Sequence, residues 1–304
     1  MLAKKIRIGT RDSELALWQA NTVQKKIKEF GYQSELVPVK STGDIILDKP
    51  LYELGITGVF TKTLDIAMLN NDIDIAVHSM KDVPTVLPHG IVEAAVLERA
   101  NVRDILVHKG LAFLDEKGTI ATGSLRRKAQ WLHKFPTHDV VDLRGNVNTR
   151  MQKLTDSIWN GAIFAAAGLE RINLKPENYI DLDWMVPAPA QGAMLVVAKE
   201  TDEYCKSALS NLNHSSSEIC VHIEREFLRE LEGGCTAPIG ALAEIRDEII
   251  RFNGVLFSLD GKKKIEVHKE VKIGEQLDFG KICAQEILNN GGRELMKEIK
   301  EIMK

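Results

Sequence analysis

Over its first two-thirds the chain alternates short apolar segments with amphipathic stretches, and that alternation restricts it to a small set of folds. Ile6-Arg7-Ile8-Gly9 reads as a strand. Ser13 then stands where a helix cap is expected, and Leu15, Trp18, Val23, Ile27 and Phe30 recur at helical spacing behind it. Residues 35–39 form the next strand, residues 60–69 a helix, and Asp74-Ile75-Ala76-Val77-His78-Ser79 a strand again. Strand-like segments continue at 91–97, 105–108, 119–122 and 140–143, with helices at 124–134, 147–159 and 165–172. A βαβ rhythm of this kind predicts an α/β architecture with mixed, mostly parallel sheets. No internal sequence repeat or low-complexity segment is present.

The pattern changes after about residue 212. A polar cluster, Asn213-His214-Ser215-Ser216-Ser217, precedes a helix at about 218–231. Three strand-like runs follow at 239–245, 249–259 and 264–273, with Arg246-Asp247 and Asp260-Gly261 at the turns. Two helices finish the chain. This part reads as a small α+β domain with an antiparallel three-stranded sheet. A length of 304 residues, 44% of them hydrophobic, is ample for two or three domains of roughly 100 residues each. The net charge of −3 gives no global field to attract nucleic acid. The start runs straight into a strand without a secretory pattern, and no apolar run approaches the roughly 18 residues that span a membrane. The four cysteines, Cys205, Cys220, Cys235 and Cys283, make no Cys-x-x-Cys pair. His214 and His222 near Cys220 fit no zinc spacing, so no metal is expected. A soluble cytoplasmic protein with free thiols is the expectation, and Cys205, Cys220 and Cys283 read as packing residues.

Cys235 stands apart from them. In Leu231-Glu232-Gly233-Gly234-Cys235-Thr236-Ala237-Pro238 the glycines and the proline force a turn that presents the thiol on a loop. Such a thiol either reacts, binds metal or carries a covalent group, or is an ordinary turn cysteine. Arginines fall at suggestive places: Arg11 just after the first strand, Arg126 and Arg127 at a strand-to-helix junction, Arg144 at a strand end, Arg150 on the helix that follows, and Arg171 closing another helix. Ligands of open α/β sheets bind at the carboxyl ends of strands, where a guanidinium offers a bidentate fork to carboxylate or phosphate. Each arginine taken alone reads as a solvated surface charge; the set suggests a polyanionic ligand. Lys81 and Asp82 follow a strand in His78-Ser79-Met80-Lys81-Asp82-Val83-Pro84, either as a plain salt bridge or as a source of acid/base chemistry. Asp44 and Asp48 fall in a loop with no evident role, and the Gly55-to-Phe60 stretch lacks the residues of a phosphate-binding loop.

The segments 10–20, 74–84, Ser124-Leu125-Arg126-Arg127, 143–150, Pro187-Ala188-Pro189-Ala190-Gln191-Gly192-Ala193 and 231–235 closely resemble the hydroxymethylbilane synthase (porphobilinogen deaminase) family, nearly end to end and in the family's motif order. The resemblance implies three domains. The first two, residues 1–97 with 191–212 and residues 98–190, are periplasmic-binding-protein-like; the third, residues 213–304, carries the cysteine loop. It implies a dipyrromethane cofactor on a thioether to Cys235. The implied transferase reaction joins four porphobilinogen molecules head to tail with loss of ammonia, then releases hydroxymethylbilane by hydrolysis, a step of tetrapyrrole and haem biosynthesis. By the same resemblance Asp82 is catalytic. Ser79, Lys81, Asp82, Thr122, Ser124, Arg126, Arg127, Arg144 and Gly145 join Cys235 in cofactor binding. Arg11, Ser13, Gln19, Arg144, Arg150, Arg171 and Gln191 bind substrate, and the protein is a monomer.

The chemistry of the residues agrees with this: each pyrrole carries an acetate and a propionate, so a protein of net charge −3 must hold the growing polyanion with local cations. Two positions depart from the family pattern. Thr57 stands where a lysine is often found, and Gly123 where a serine is often found. A non-catalytic anion binder on the same two-domain frame accounts for the arginines but not for Cys235 or Asp82. A nucleic-acid protein using Arg126 and Arg127 is disfavoured by the overall acidity.

Overall fold

The computed structural model describes residues 4–40, 61–232 and 237–303. They form two compact units, the first from residues 4–40, 61–100 and 192–218, the second from residues 101–191 and 219–303.

In the first unit β1 (Ile6–Thr10), β2 (Ser34–Pro38), β3 (Ile75–Ser79), β4 (Ile91–Val96) and β10 (Met194–Lys199) make a mixed sheet in the order β2-β1-β3-β10-β4. β1 is parallel to β2 and β3, while β10 runs antiparallel to both of its neighbours. Helix α1 (Glu14–Glu29) is started by Ser13, whose hydroxyl accepts from the Ala16 N–H at 3.4 Å. Its buried positions Ala16, Gln19, Ala20, Val23 and Ile27 fall on one face. Three of them, Ala20, Val23 and Ile27, pack on Ile6, Ile8, Ile75 and Val77 of the sheet. Helix α2 (Lys62–Leu69) and helix α6 (Glu203–Ser210) also belong to this unit.

The second unit holds two sheets. β5 (Asp104–His108), β6 (Thr119–Ala121), β7 (Asp139–Val141), β8 (Gly161–Ala165) and β9 (Tyr179–Asp181) pair in the order β7-β6-β8-β5-β9. β6 is parallel to β7 and β8, and β5 runs antiparallel to β8 and β9. Helices α3 (Leu125–Lys134), α4 (Val147–Asp156) and α5 (Ala166–Arg171) lie between these strands in sequence. The α/β rhythm is as expected. Each five-stranded sheet takes two parallel and two antiparallel pairings, and β8, β9, β10 and α6 add to the elements read from sequence.

The C-terminal part is the expected antiparallel meander of β11 (Ile239–Arg246), β12 (Ile249–Phe257) and β13 (Lys264–Lys272). Asp247 and Glu248 connect β11 to β12 with φ of 50° and 62°, the mirror-image turn that suits strand twist. Helix α7 (Ser215–Glu230), α8 (Phe279–Ile287) and α9 (Arg293–Ile302) accompany the sheet. Phe227 of α7 has no exposed surface and meets Phe252 edge-on at 5.0 Å between centroids. The ring needs Gly254 beneath it, because a Cβ there would sit 2.7 Å from Phe227 Cζ. Cys205, Cys220 and Cys283 are buried, and burial pushes the thiols of Cys205 and Cys283 up to about 12, as packing residues require. Phe227→Ala removes the centre of this core, so denaturant unfolding is expected to register a loss of about 3–5 kcal/mol. A loss below about 1 kcal/mol would place the core's support elsewhere.

Candidate functional site

Several of the candidate residues in each unit follow the carboxyl ends of parallel strands. In the first unit Arg11 follows β1 directly, and Ser79 ends β3. A single 3-10 turn, Met80–Asp82, comes next. Ser79 is fixed by Gln19, whose buried amide donates to its hydroxyl at 2.9 Å, so these two candidates are brought together. Ser13 caps α1, which ties its hydroxyl to the backbone. Lys81 and Asp82 are both half-buried but do not pair with each other; among the described residues the Asp82 carboxylate has no hydrogen-bond or ion-pair partner. Of the two readings open for this pair, the salt bridge is not the one adopted.

His78, on β3 four residues before Asp82, is buried and went unassigned in the sequence. Burial, helped by the positive charge of Arg11, pushes its pKa down from 6.5 to about 4. The folded state therefore binds fewer protons than the unfolded state between these values, and stability rises with pH across that window. Unfolding free energy is expected to fall by roughly 3 kcal/mol as pH drops from 6.5 to 4, less in His78→Gln. Equal slopes for the two proteins would count against a buried neutral imidazole.

In the second unit Thr122, immediately after β6, is buried, and its hydroxyl accepts from the Ser124 N–H at 3.2 Å. Ser124 caps α3 through the Arg127 N–H at 3.4 Å. Between them Gly123 allows a close approach: a Cβ there would lie 2.6 Å from the Leu143 carbonyl oxygen. The glycine is thus matched to the local backbone.

Arg126 and Arg127 are buried, 5% and 6% exposed, and both turn to Asp104, which has no exposed surface at all. Arg126 Nη1 donates to Asp104 Oδ2 at 2.6 Å and to the Val186 carbonyl at 2.8 Å. Arg127 reaches Asp104 Oδ1 through Nε at 2.9 Å and Nη2 at 2.7 Å, and the Ile163 carbonyl through Nη1 at 2.9 Å. Gln191, fully buried, donates to the same Oδ1 at 3.0 Å and to the Val102 carbonyl at 2.8 Å. Arg126, Arg127 and Gln191 are therefore brought together by a carboxylate the sequence reading did not single out. The available signal was Asp104 itself, an acid opening an apolar run.

Gln191 is held in turn by Ala190, a non-glycine residue with φ of 60°. The Ala190 N–H donates to the fully buried Glu224 at 2.7 Å, and Glu224 also accepts from the Ala243 N–H at 2.7 Å. Left-handed backbone at an alanine costs about 1–3 kcal/mol, and the charge-assisted bond offsets it.

Arg144 follows β7 and is buried, which pushes its guanidinium below the usual value, with Asp142 opposing. Gly145 has φ of +114°, and its carbonyl accepts from Arg150 Nε at 2.7 Å. Arg171 closes α5, with burial pushing it down to about 10 against the favourable charge of Glu170. Cys235, Thr57 and the loop at 55–60, Asp44 and Asp48 lie outside the described residues. Among the described residues no group of His, Cys, Asp and Glu could hold a metal ion, and no helix is long and apolar enough to cross a membrane.

The geometry defines an α/β protein whose second unit has buried arginines near strand ends and helix starts, and whose first unit has a carboxylate at Asp82 that is unpaired among the described residues. Comparison with known proteins narrows this. The family described as "Porphobilinogen deaminase, dipyromethane cofactor binding domain" matches residues 6–207, and "Porphobilinogen deaminase, C-terminal domain" matches residues 218–289. The chain is 40% identical to a porphobilinogen deaminase of Geotalea uraniireducens, over 98% of this chain and 96% of that one. It is 41% identical to one of Campylobacter hominis, over 98% and 99%. Among solved structures it is similar to a periplasmic substrate-binding protein of an ABC transporter from Coxiella burnetii (TM-score 0.43, 14% identity, 68% of this chain and 91% of that one). The chain belongs to the porphobilinogen deaminase family.

Proposed function

We propose that the chain joins four porphobilinogen molecules head to tail on a dipyrromethane cofactor and releases hydroxymethylbilane, with Asp82 as the group that moves protons. Membership of a transferase family over nearly the whole length carries this reading. The residues suit a polycarboxylate ligand: two buried guanidiniums share one carboxylate, and the buried Arg126 Nε has no hydrogen-bond acceptor among the described residues. When bound, the dipyrromethane supplies the pyrrole carbon from which the chain of rings is extended.

The protein's own part is binding and proton transfer. Arg11, Arg126, Arg127, Arg144, Arg150 and Arg171 take acetate and propionate groups as charge-assisted hydrogen bonds. Ser13, Gln19, Ser79, Lys81, Thr122, Ser124, Gly145 and Gln191 orient the ligand or the residues that hold it. Asp82 gives a proton to the amine as ammonia leaves porphobilinogen, and its carboxylate faces the positive charge that develops on the pyrrole nitrogen. Among the described residues no cation pairs with it, which suits such a role. Cys235 carries the cofactor on a thioether. We further propose three domains, residues 1–97 with 191–212, 98–190 and 213–304, in a cytoplasmic monomer.

Asp82→Asn is expected to lower turnover by about 10²–10⁴-fold while thermal unfolding stays near that of the parent protein. Unchanged turnover would remove Asp82 from the chemistry. Denaturing intact-mass measurement is expected to give an excess equal to two porphobilinogen units less two ammonias, absent in Cys235→Ser. A bare polypeptide mass that stays bare after incubation with porphobilinogen would overturn the thioether assignment.

A further inference from the structure

The arginine pair at the start of α3 rests on a carboxylate that has no part in the proposed proton transfers. Asp104 opens β5 opposite Ala165, the last residue of β8. Both its oxygens are engaged, Oδ2 by Arg126 and Oδ1 by Arg127 and Gln191. Among these named groups two cations face one anion, an excess of one positive charge in buried surroundings. The charges acting on Arg126 show the imbalance: burial disfavours its cation, Asp104 favours it and Arg127 opposes it. A second acid would neutralise the cluster and remove its electrostatic reason to accept an anion. No acid at all would leave two like charges to repel each other and swing apart. One acid for two arginines fixes both guanidiniums and leaves charge for one incoming carboxylate.

Resting on the function proposed above, we propose that Asp104 is a positioning residue. Anchored by Gln191, it aims Arg126 and Arg127 and sets the charge of the trio to match a single carboxylate of the porphobilinogen-derived ligand.

The test is a double-mutant cycle on the full chain with Asp104→Asn, Arg127→Gln and the pair, with Gln191→Met as a variant that loosens Asp104 without removing a buried charge. Three quantities are read: KM and kcat for porphobilinogen, the rate of mass gain as the primer assembles, and the Arg127 Nε–H signal by NMR without substrate. Asp104→Asn is expected to raise KM by roughly tenfold to a hundredfold, the usual effect of losing hydrogen bonds to a charged group, while kcat changes far less. Primer assembly slows in step, and neither loss adds to that of Arg127→Gln. The Arg127 Nε–H signal shifts and broadens. If Asp104→Asn does not fold, Gln191→Met is expected to give the same non-additive pattern at smaller size. Losses that multiply with Arg127→Gln, a fall in kcat at constant KM, or an unmoved Arg127 signal in a folded variant would each overturn the positioning role. A parent protein that consumes no porphobilinogen would instead sink the proposed function. The substrate-free NMR signal still decides whether Asp104 holds the arginine.

Discussion

Asp104 has lost all contact with water, and a buried carboxylate is tolerable only when it is paired and hydrogen-bonded. Two guanidiniums and an amide meet that demand, and each of the three is itself fixed from elsewhere. Arg126 leans on the Val186 carbonyl, Arg127 on the Ile163 carbonyl, and Gln191 on the Val102 carbonyl. The strain at Ala190, the cap at Ser124 and the bond that the Ala190 N–H donates to Glu224 therefore all bear on one carboxylate. Removing one partner of such a buried network costs about 3–5 kcal/mol, since the remaining charge is left without compensation. Preorganised cations of this kind would need no reorganisation on meeting an anion, which is what the proposed binding role draws on.

Topology is what allows the network to form at the right edge. In a wholly parallel sheet every strand starts at the edge away from the ligand. Here β5 runs against β8, so its first residue lies beside the carboxyl end of a parallel strand. The first unit repeats the arrangement: β10 runs against β3, and Met194 pairs with Ser79. In both sheets the reversed strand stands fourth in order, and in both it comes shortly after the chain enters the unit, near residues 101 and 192. Crossing between units thus delivers a strand start, with its side chains, to an edge otherwise made only of strand ends.

Much of this was legible in the sequence, for reasons tied to particular residues. The βαβ rhythm was clear because Ile6, Ile8, Ile75 and Val77 alternate or run together between capped helices. The site arginines stood out because most of them follow a strand or fall in the first turns of a helix, while Arg171 closes one. The reversal of β5 and β10 was not legible, because a buried strand is apolar on both faces whichever way it runs. Met194-Leu195-Val196-Val197-Ala198 carries no sign of direction. The common strand order of the two sheets is invisible too, since packing constrains polarity and volume rather than identity, and no sequence repeat survives. Asp104 and Glu224 escaped because a lone acid looks like a surface charge until burial and partners are known. Gly123 read as a missing hydroxyl, whereas in the fold it admits the Leu143 carbonyl.

The carboxylates divide by what the fold does with them. Burial opposes the ionised form of Asp74, but hydrogen bonds from Arg7 and the charges of Lys4 and Arg7 outweigh it and hold it below the usual carboxylate range. Asp104 is likewise enclosed by cations. An acid held down as Asp74 is makes a poor proton carrier near neutral pH, because its charged form is too strongly favoured. Asp82 lies at the end of a buried strand with arginine and lysine close in sequence or fold, yet among the described residues no cation pairs with it. Ser79, just before it, is fixed by Gln19, so the turn that carries Asp82 departs from a held point while the carboxylate itself stays unengaged. Positioned backbone with an uncommitted side chain is the combination that the proposed proton transfer to a departing amine calls for, and acids clamped like Asp74 lack it.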